Sequence, residues 1–225
     1  MRATRIALLV GLVAAVPPVL AAQDHDATTK VTGGALPDGW MLRFDPPYRG
    51  RPAPKPTEVN FRAMGPGFHL TSGPAALYYR TADRATGNYT VSATISQAKS
   101  SSHEAYGLFV GGTDLQGADQ NYIYMVVHPQ GGKFLINHRT SDGTPTSLVP
   151  YTETNAVHKE DPTTGAASNT VAIRVAGGML HFMINGTEVK TLTASEIPDF
   201  STTGIAGLRL NHNLDVHISD FGVTK

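Results

Sequence analysis

The clearest pattern in the chain is the alternation in NYIYMVVHPQGGKFLINHR, residues 121–139. Two runs of apolar and polar positions flank Pro129-Gln130-Gly131-Gly132, the composition of a hairpin loop. Closing the hairpin there sets His128 opposite Lys133. Antiparallel pairing then carries the register to Val126 with Leu135, Tyr124 with Asn137 and Tyr122 with Arg139. Side chains alternate across a strand, so Ile123, Met125, Val127, Phe134 and Ile136, with His138 at the end, share one face. Tyr122, Tyr124, His128, Asn137 and Arg139 share the other. The first face suits a core. The second suits a bound ligand, and equally the solvated side of a sheet.

Shorter runs of the same kind recur, separated by Gly, Pro, Asn and Asp. They predict strands near 58–63, 67–72, 75–80, 88–98, 105–112, 120–128, 133–139, 145–150, 169–176, 179–184, 187–192, 204–210 and 214–223. An earlier segment, WMLRF from Trp40, reads as a further first strand, with Trp40 a core or rim plug rather than a stacking platform. In TVAIRVAGGMLHFMINGTEVKTL, Gly177-Gly178 and Asn185-Gly186 are two-residue turn signals, because both centres of a type I′ turn need positive φ. One helical turn is expected at 194–197, ended by Pro198. The stretch HKEDPTTGAAS, 158–168, has no apolar period and reads as an exposed loop. About thirteen strands cannot lie in one open sheet without curling, so the pattern predicts an all-β, two-sheet antiparallel β-sandwich.

Composition narrows this further. Arg2 and Arg5 precede an apolar run from Ile6 to Leu20 that ends in small residues, the form of a signal peptide over 1–21. The run is short for a membrane span and is broken by Pro17-Pro18. An extracytoplasmic location, periplasmic or secreted, is therefore expected, with no membrane span in the mature chain. Residues 22–56 are rich in Pro and Gly and read as an extended segment, leaving 57–225 as the sandwich domain, or 40–225 if Trp40 begins it. Lys and Arg number 18 and so do Asp and Glu, which removes the electrostatic case for nucleic acid. The absence of cysteine removes disulfides, thiolate chemistry and cysteine-based zinc sites, so the core alone must hold the fold.

With the strands in order, three segments carry a family resemblance: the block YGLFVGGTD followed by NYIYMVV, the late hairpin VAIRVAGGMLHFMINGTEV, and the closing strand DVHISDFGV. Together they resemble the concanavalin A-like lectin/glucanase jelly rolls. Within these, the chain is most similar to bacterial laminin-G-like and keto-disaccharide hydrolase-like secreted domains. The resemblance spans about residues 39–225. It implies a curved jelly-roll sandwich whose concave sheet carries a carbohydrate or cell-envelope ligand, placing Tyr122, Tyr124, Asn137, Arg139 and His128 at the site. The chain departs from the family where catalysis would sit. The glucanase strand Glu-x-Asp-x-x-Glu is missing, and His103-Glu104-Ala105-Tyr106-Gly107 stands where the hydrolase branch has Asn-Ser-Gly and a following Glu.

Glycoside hydrolysis needs two carboxylates flanking one bond, one of them kept protonated. The acids here lie mostly in loops, and the strand acids Glu58, Glu188, Asp215 and Asp220 share no spacing. No catalytic residue is assigned, and the reading is a non-catalytic binding module. A glycoside-acting hydrolase and an envelope interaction protein without a small ligand are the alternatives. Asp220 is the unusual acid: the core phase of Leu214, Val216 and Ile218 would turn it inward, while Phe221 and Val223 take over the apolar phase. It must then sit at a bulge or be buried with a partner. The laminin-G-like resemblance adds a structural calcium on Asp220, with Asp45 joining it; no other cofactor is expected. The histidines form no H-x-x-x-H pair, and no G-x-S-x-G elbow or phosphate cradle occurs.

Overall fold

The computed structural model describes residues 33, 35–47, 50–97 and 103–225. The leader assigned to 1–21 and the segment 22–32 lie outside them. Fourteen strands among the described residues form two seven-stranded sheets. The first runs β1 (Trp40–Phe44), β4 (Ala76–Ala85), β13 (Gly204–Leu210), β6 (Tyr106–Thr113), β7 (Asn121–His128), β8 (Lys133–Arg139) and β9 (Thr146–Glu153). The second runs β12 (Thr187–Thr193), β11 (Met179–Ile184), β10 (Ala167–Ala176), β5 (Tyr89–Gln97), β14 (Leu214–Thr224), β3 (Gly67–Ser72) and β2 (Val59–Met64). Every pairing is antiparallel, so the predicted sandwich is the observed one.

The alternation that predicted the strands is the alternation that buries them. Along β5, Tyr89, Val91, Ala93, Ile95 and Gln97 are buried and the residues between them are not. The main core joins Val91, Ile95, Ile173, Phe182 and Ile218 of the second sheet to Tyr78, Leu108, Ile123, Met125 and Ile136 of the first. Both predicted tight turns carry the backbone they require: Gly177 and Gly178 have φ of 58° and 77°, Asn185 and Gly186 of 50° and 80°.

The sandwich begins at Trp40, the earlier of the two starts the sequence allowed, because β1 pairs along β4 from Trp40–Arg80 to Phe44–Ala76. Other details differ from the sequence reading. Strand β4 continues to Ala85, past the predicted end at 80. Arg80 donates two hydrogen bonds to Asp83, at 2.7 and 2.9 Å, which neutralises the acid and lets a polar run remain in the sheet. Strand β9 passes through Pro150 to Glu153. It is the edge strand of its sheet, where a missing N–H costs no ladder bond. The 158–168 stretch is not wholly exposed, since the Glu160 side chain is buried against His103 (2.9 Å) and Gln97 (3.1 Å). The predicted turn near 194–197 is a single 3₁₀ turn over Ala194–Glu196.

Candidate functional site

Strands β7 and β8 pair in the predicted register, Tyr122 with Arg139, Tyr124 with Asn137, Val126 with Leu135 and His128 with Lys133. Tyr122, Tyr124, Asn137, Arg139 and His128 therefore share the outer face of the first sheet, as expected. His138 turns to the other face, bonded to Asn121 Oδ1 at 2.9 Å. What differs is the character of the outer face. Leu77, Tyr79, Phe109, Leu115, Tyr122, Tyr124 and Val126 form a second apolar cluster there. Rings step along it, Tyr79 to Phe109 at 6.3 Å, Phe109 to Tyr122 at 5.4 Å and Tyr122 to Tyr124 at 5.8 Å. The loop between β6 and β7 covers one end of the row: Leu115 packs on it, and Gln116 Nε2 donates to the Tyr79 hydroxyl at 2.6 Å. The second sheet presents hydroxyl pairs outward, Thr94 with Thr170 and Ser96 with Ser168, each at 2.9 Å.

A charge cluster sits on the apolar row. Arg209 on β13 is 4% exposed, and its two terminal nitrogens donate to the two oxygens of Asp45, each at 2.6 Å. Such a fork-on-carboxylate pair is the strongest common ion-pair geometry. Arg139 reaches the same carboxylate at 3.4 Å and donates to the Gly143 carbonyl at 2.8 Å. The Arg209 guanidinium lies 5.1 Å from the centre of the Tyr124 ring, and the Tyr124 hydroxyl accepts from Asn137 Nδ2 at 2.9 Å. Burial raises the Asp45 pKa, but Arg209 and then Arg139 outweigh it, so the carboxyl is held below its usual range and stays ionised. Burial pushes Tyr122 up to about 12, against the pull of Arg209. The Tyr122 hydroxyl and the Nε groups of Arg139 and Arg209 are buried without hydrogen-bond partners. Beside the cluster lies a shallow depression of about 420 Å³, lined by Asp45, Pro46, Pro47, Arg139, Asp142, Gly143, Thr144 and Pro145.

These positions correct the expected roles. Tyr122, Tyr124 and Arg139 are buried and present no open ring or fork to solvent. They are the support of the face, while Asn137 and His128 remain half-exposed. His128 Nδ1 accepts the Gly131 N–H at 3.1 Å, which leaves the proton of the neutral ring on Nε2, a donor. The calcium pair is separated. Asp45 follows β1 and serves two arginines, whereas Asp220 precedes Phe221, which packs on Trp40 at the other end of β1. Asp220 is exposed at a β-bulge: Ser219 pairs with Thr94 and Gly222 with Ser92, and Asp220 adopts φ of 55°. The bulge is the outcome the broken apolar phase predicted. No group of three or more His, Cys, Asp or Glu among the described residues is placed to hold a metal. Thermal melting with and without EDTA tests the calcium expectation: an equal midpoint is expected from this arrangement, and a lower midpoint on chelation would support a structural calcium.

Sequence reasoning missed Arg209 and Tyr151. Arg209 alternates with Leu208 and Leu210, so its outward direction was legible, but its partner lies 164 positions away. Tyr151 stood one residue beyond a strand expected to stop at Pro150.

No protein-family model and no curated protein matches the sequence. Solved structures do match. The carbohydrate-binding module CBM66 from Bacillus subtilis superposes with a TM-score of 0.58 at 11% identity, over 83% of this chain and 96% of that one. The fold is a concanavalin A-like jelly roll. A glycoside hydrolase family 16 endo-glucanase from Bacteroides ovatus shares the jelly roll with a TM-score of 0.52 at 13% identity, over 80% and 81% of the two chains. So does a Bacillus subtilis protein described as having a galectin-like fold, at 0.50 and 12%, over 82% and 88%. At these identities the likeness concerns the jelly roll alone.

Proposed function

We propose that this protein is a non-catalytic carbohydrate-binding module, exported from the cytoplasm, whose ligand seats on the outer face of the first sheet. The observation that carries the reading is the built foundation of that face. Buried Arg209 and Arg139 share the half-buried Asp45 carboxylate, Arg209 lies over the Tyr124 ring, and the Tyr124 hydroxyl holds Asn137, beside an open depression of mixed polar and apolar lining. Sugar hydroxyls are met by planar amide, carboxylate and guanidinium groups held in one orientation, and a rigid support is what holds them. The acid chemistry supports binding over hydrolysis. A general acid must hold its proton near neutral pH, whereas two guanidinium groups keep Asp45 ionised.

Purified mature protein is expected to be retarded in native gels containing at least one soluble polysaccharide, and to release no reducing sugar from it. Turnover that stops when one Asp or Glu is neutralised would overturn the module reading in favour of a hydrolase. Retardation by none of a broad panel would favour an envelope interaction protein.

A further inference from the structure

With Tyr122 and Tyr124 built into the support, the face needs another aromatic to meet a sugar ring. Among the described residues Tyr151 is the one exposed aromatic side chain, at 48%. It lies on edge strand β9, in the stretch that faces Phe134–Ile136 of β8, while Asn137 pairs further along with Ser147. Its ring is set at 78° to His128, with centroids 5.8 Å apart. Partial burial pushes Tyr151 up to about 12, with Glu104 and Tyr124 adding to the rise and Arg209 opposing it.

We propose that Tyr151 is the aromatic platform of the carbohydrate site, stacking on a pyranose ring while Asn137 and His128 take its hydroxyls. The inference rests on the carbohydrate reading above and names its stacking residue and ligand class. A pyranose whose ring carries a continuous face of axial C–H bonds matches a flat ring, because those C–H groups are apolar and meet the negative face of the π-system. The hydroxyls at the ring edge need in-plane partners. Asn137 spends one amide N–H on Tyr124, and its carbonyl oxygen and second N–H have no other partner among the described residues. His128 offers Nε2–H, since its Nδ1 is occupied by Gly131. Two contacts are thus held by the sheet and one by an edge strand that stays open to solvent, an arrangement that admits a polymer from the side.

The test uses the mature protein and three variants, Tyr151→Ala, Tyr151→Phe and Tyr151→Trp, in native gels containing mixed-linkage β-glucan, galactomannan, xylan or, as a furanose polymer, arabinan. Wild type is expected to be retarded by at least one of the three pyranose polymers. Tyr151→Ala should lose at least tenfold in affinity, with its circular dichroism unchanged, while Tyr151→Phe and Tyr151→Trp stay within a few-fold. The Trp variant adds a reporter, because the natural Trp40 is buried, and its emission should shift when the polymer is added. Wild-type binding that survives Tyr151→Ala, or that is lost equally in Tyr151→Phe, overturns the platform and leaves the carbohydrate reading standing. Retardation by arabinan alone overturns the pyranose assignment. Wild type retarded by none of the four overturns the carbohydrate reading, and the platform with it.

Discussion

Asp45→Ala is expected to destabilise the fold by about 3–5 kcal/mol, because it strands a buried guanidinium without its counter-charge. Arg209 is 4% exposed and spends both terminal nitrogens on this one carboxylate. In a domain of this size such a loss corresponds to a fall in Tm of roughly 6–20 °C. Replacing the pair together, Asp45→Leu with Arg209→Met, should cost less than Asp45→Ala alone, since one buried guanidinium, Arg139, rather than two is then left without the carboxylate. The pH dependence has a definite sign. The folded-state pKa of Asp45 lies below the ordinary 3.8, so its ionised form contributes stability that is present above 3.8 and is lost as pH falls through the lower folded value. Wild type should therefore lose stability on the acid side of 3.8 more steeply than the Asp45→Ala variant. Melting curves from pH 2 to 7 measure both effects, and an Asp45→Ala midpoint equal to wild type at pH 7 would falsify the stabilising role of the Asp45–Arg209 pair.

Trp40→Ala is expected to cost about 3–5 kcal/mol, the usual range for removing a large buried aromatic. Its ring bridges the two sheets. It meets Phe61 of β2 at 4.9 Å, Phe68 of β3 at 5.2 Å and Phe221 of β14 at 5.4 Å, with the Arg80 guanidinium 5.1 Å from its centre. The loss should appear as a lower denaturant midpoint, while ligand affinity per folded molecule is unchanged. A variant that melts like wild type yet no longer binds polysaccharide would instead make Trp40 a ligand contact.

The same two residues show where sequence legibility ends. Trp40 was readable as a core plug because it opens an apolar run, and alternation says which side of a strand faces the core. Asp45 was readable only as an acid beyond that run. Partners 94 and 164 positions away leave no periodic trace, so its pairing with two arginines was not readable. Asp220 lies between these cases. A break in period two is a local signal, and it located the bulge correctly without saying whether the carboxylate would face in or out.

By itself the sequence determined the class of the fold, the register of the β7–β8 hairpin, both two-residue turns and the membership of the two faces of that hairpin. All of these follow from nearest-neighbour geometry: period-two alternation, loop composition and the φ demands of tight turns. Only the tertiary structure decided that the outer face of the first sheet is itself a packed apolar row, that Tyr122, Tyr124 and Arg139 lie beneath it, and that Tyr151 stands clear. Exposure depends on what other segments bring across a face. Here Asp45, which follows β1, comes from a distant part of the chain, and the loop between β6 and β7 folds back over Tyr79, 37 positions from Gln116; alternation along one strand carries no information about either.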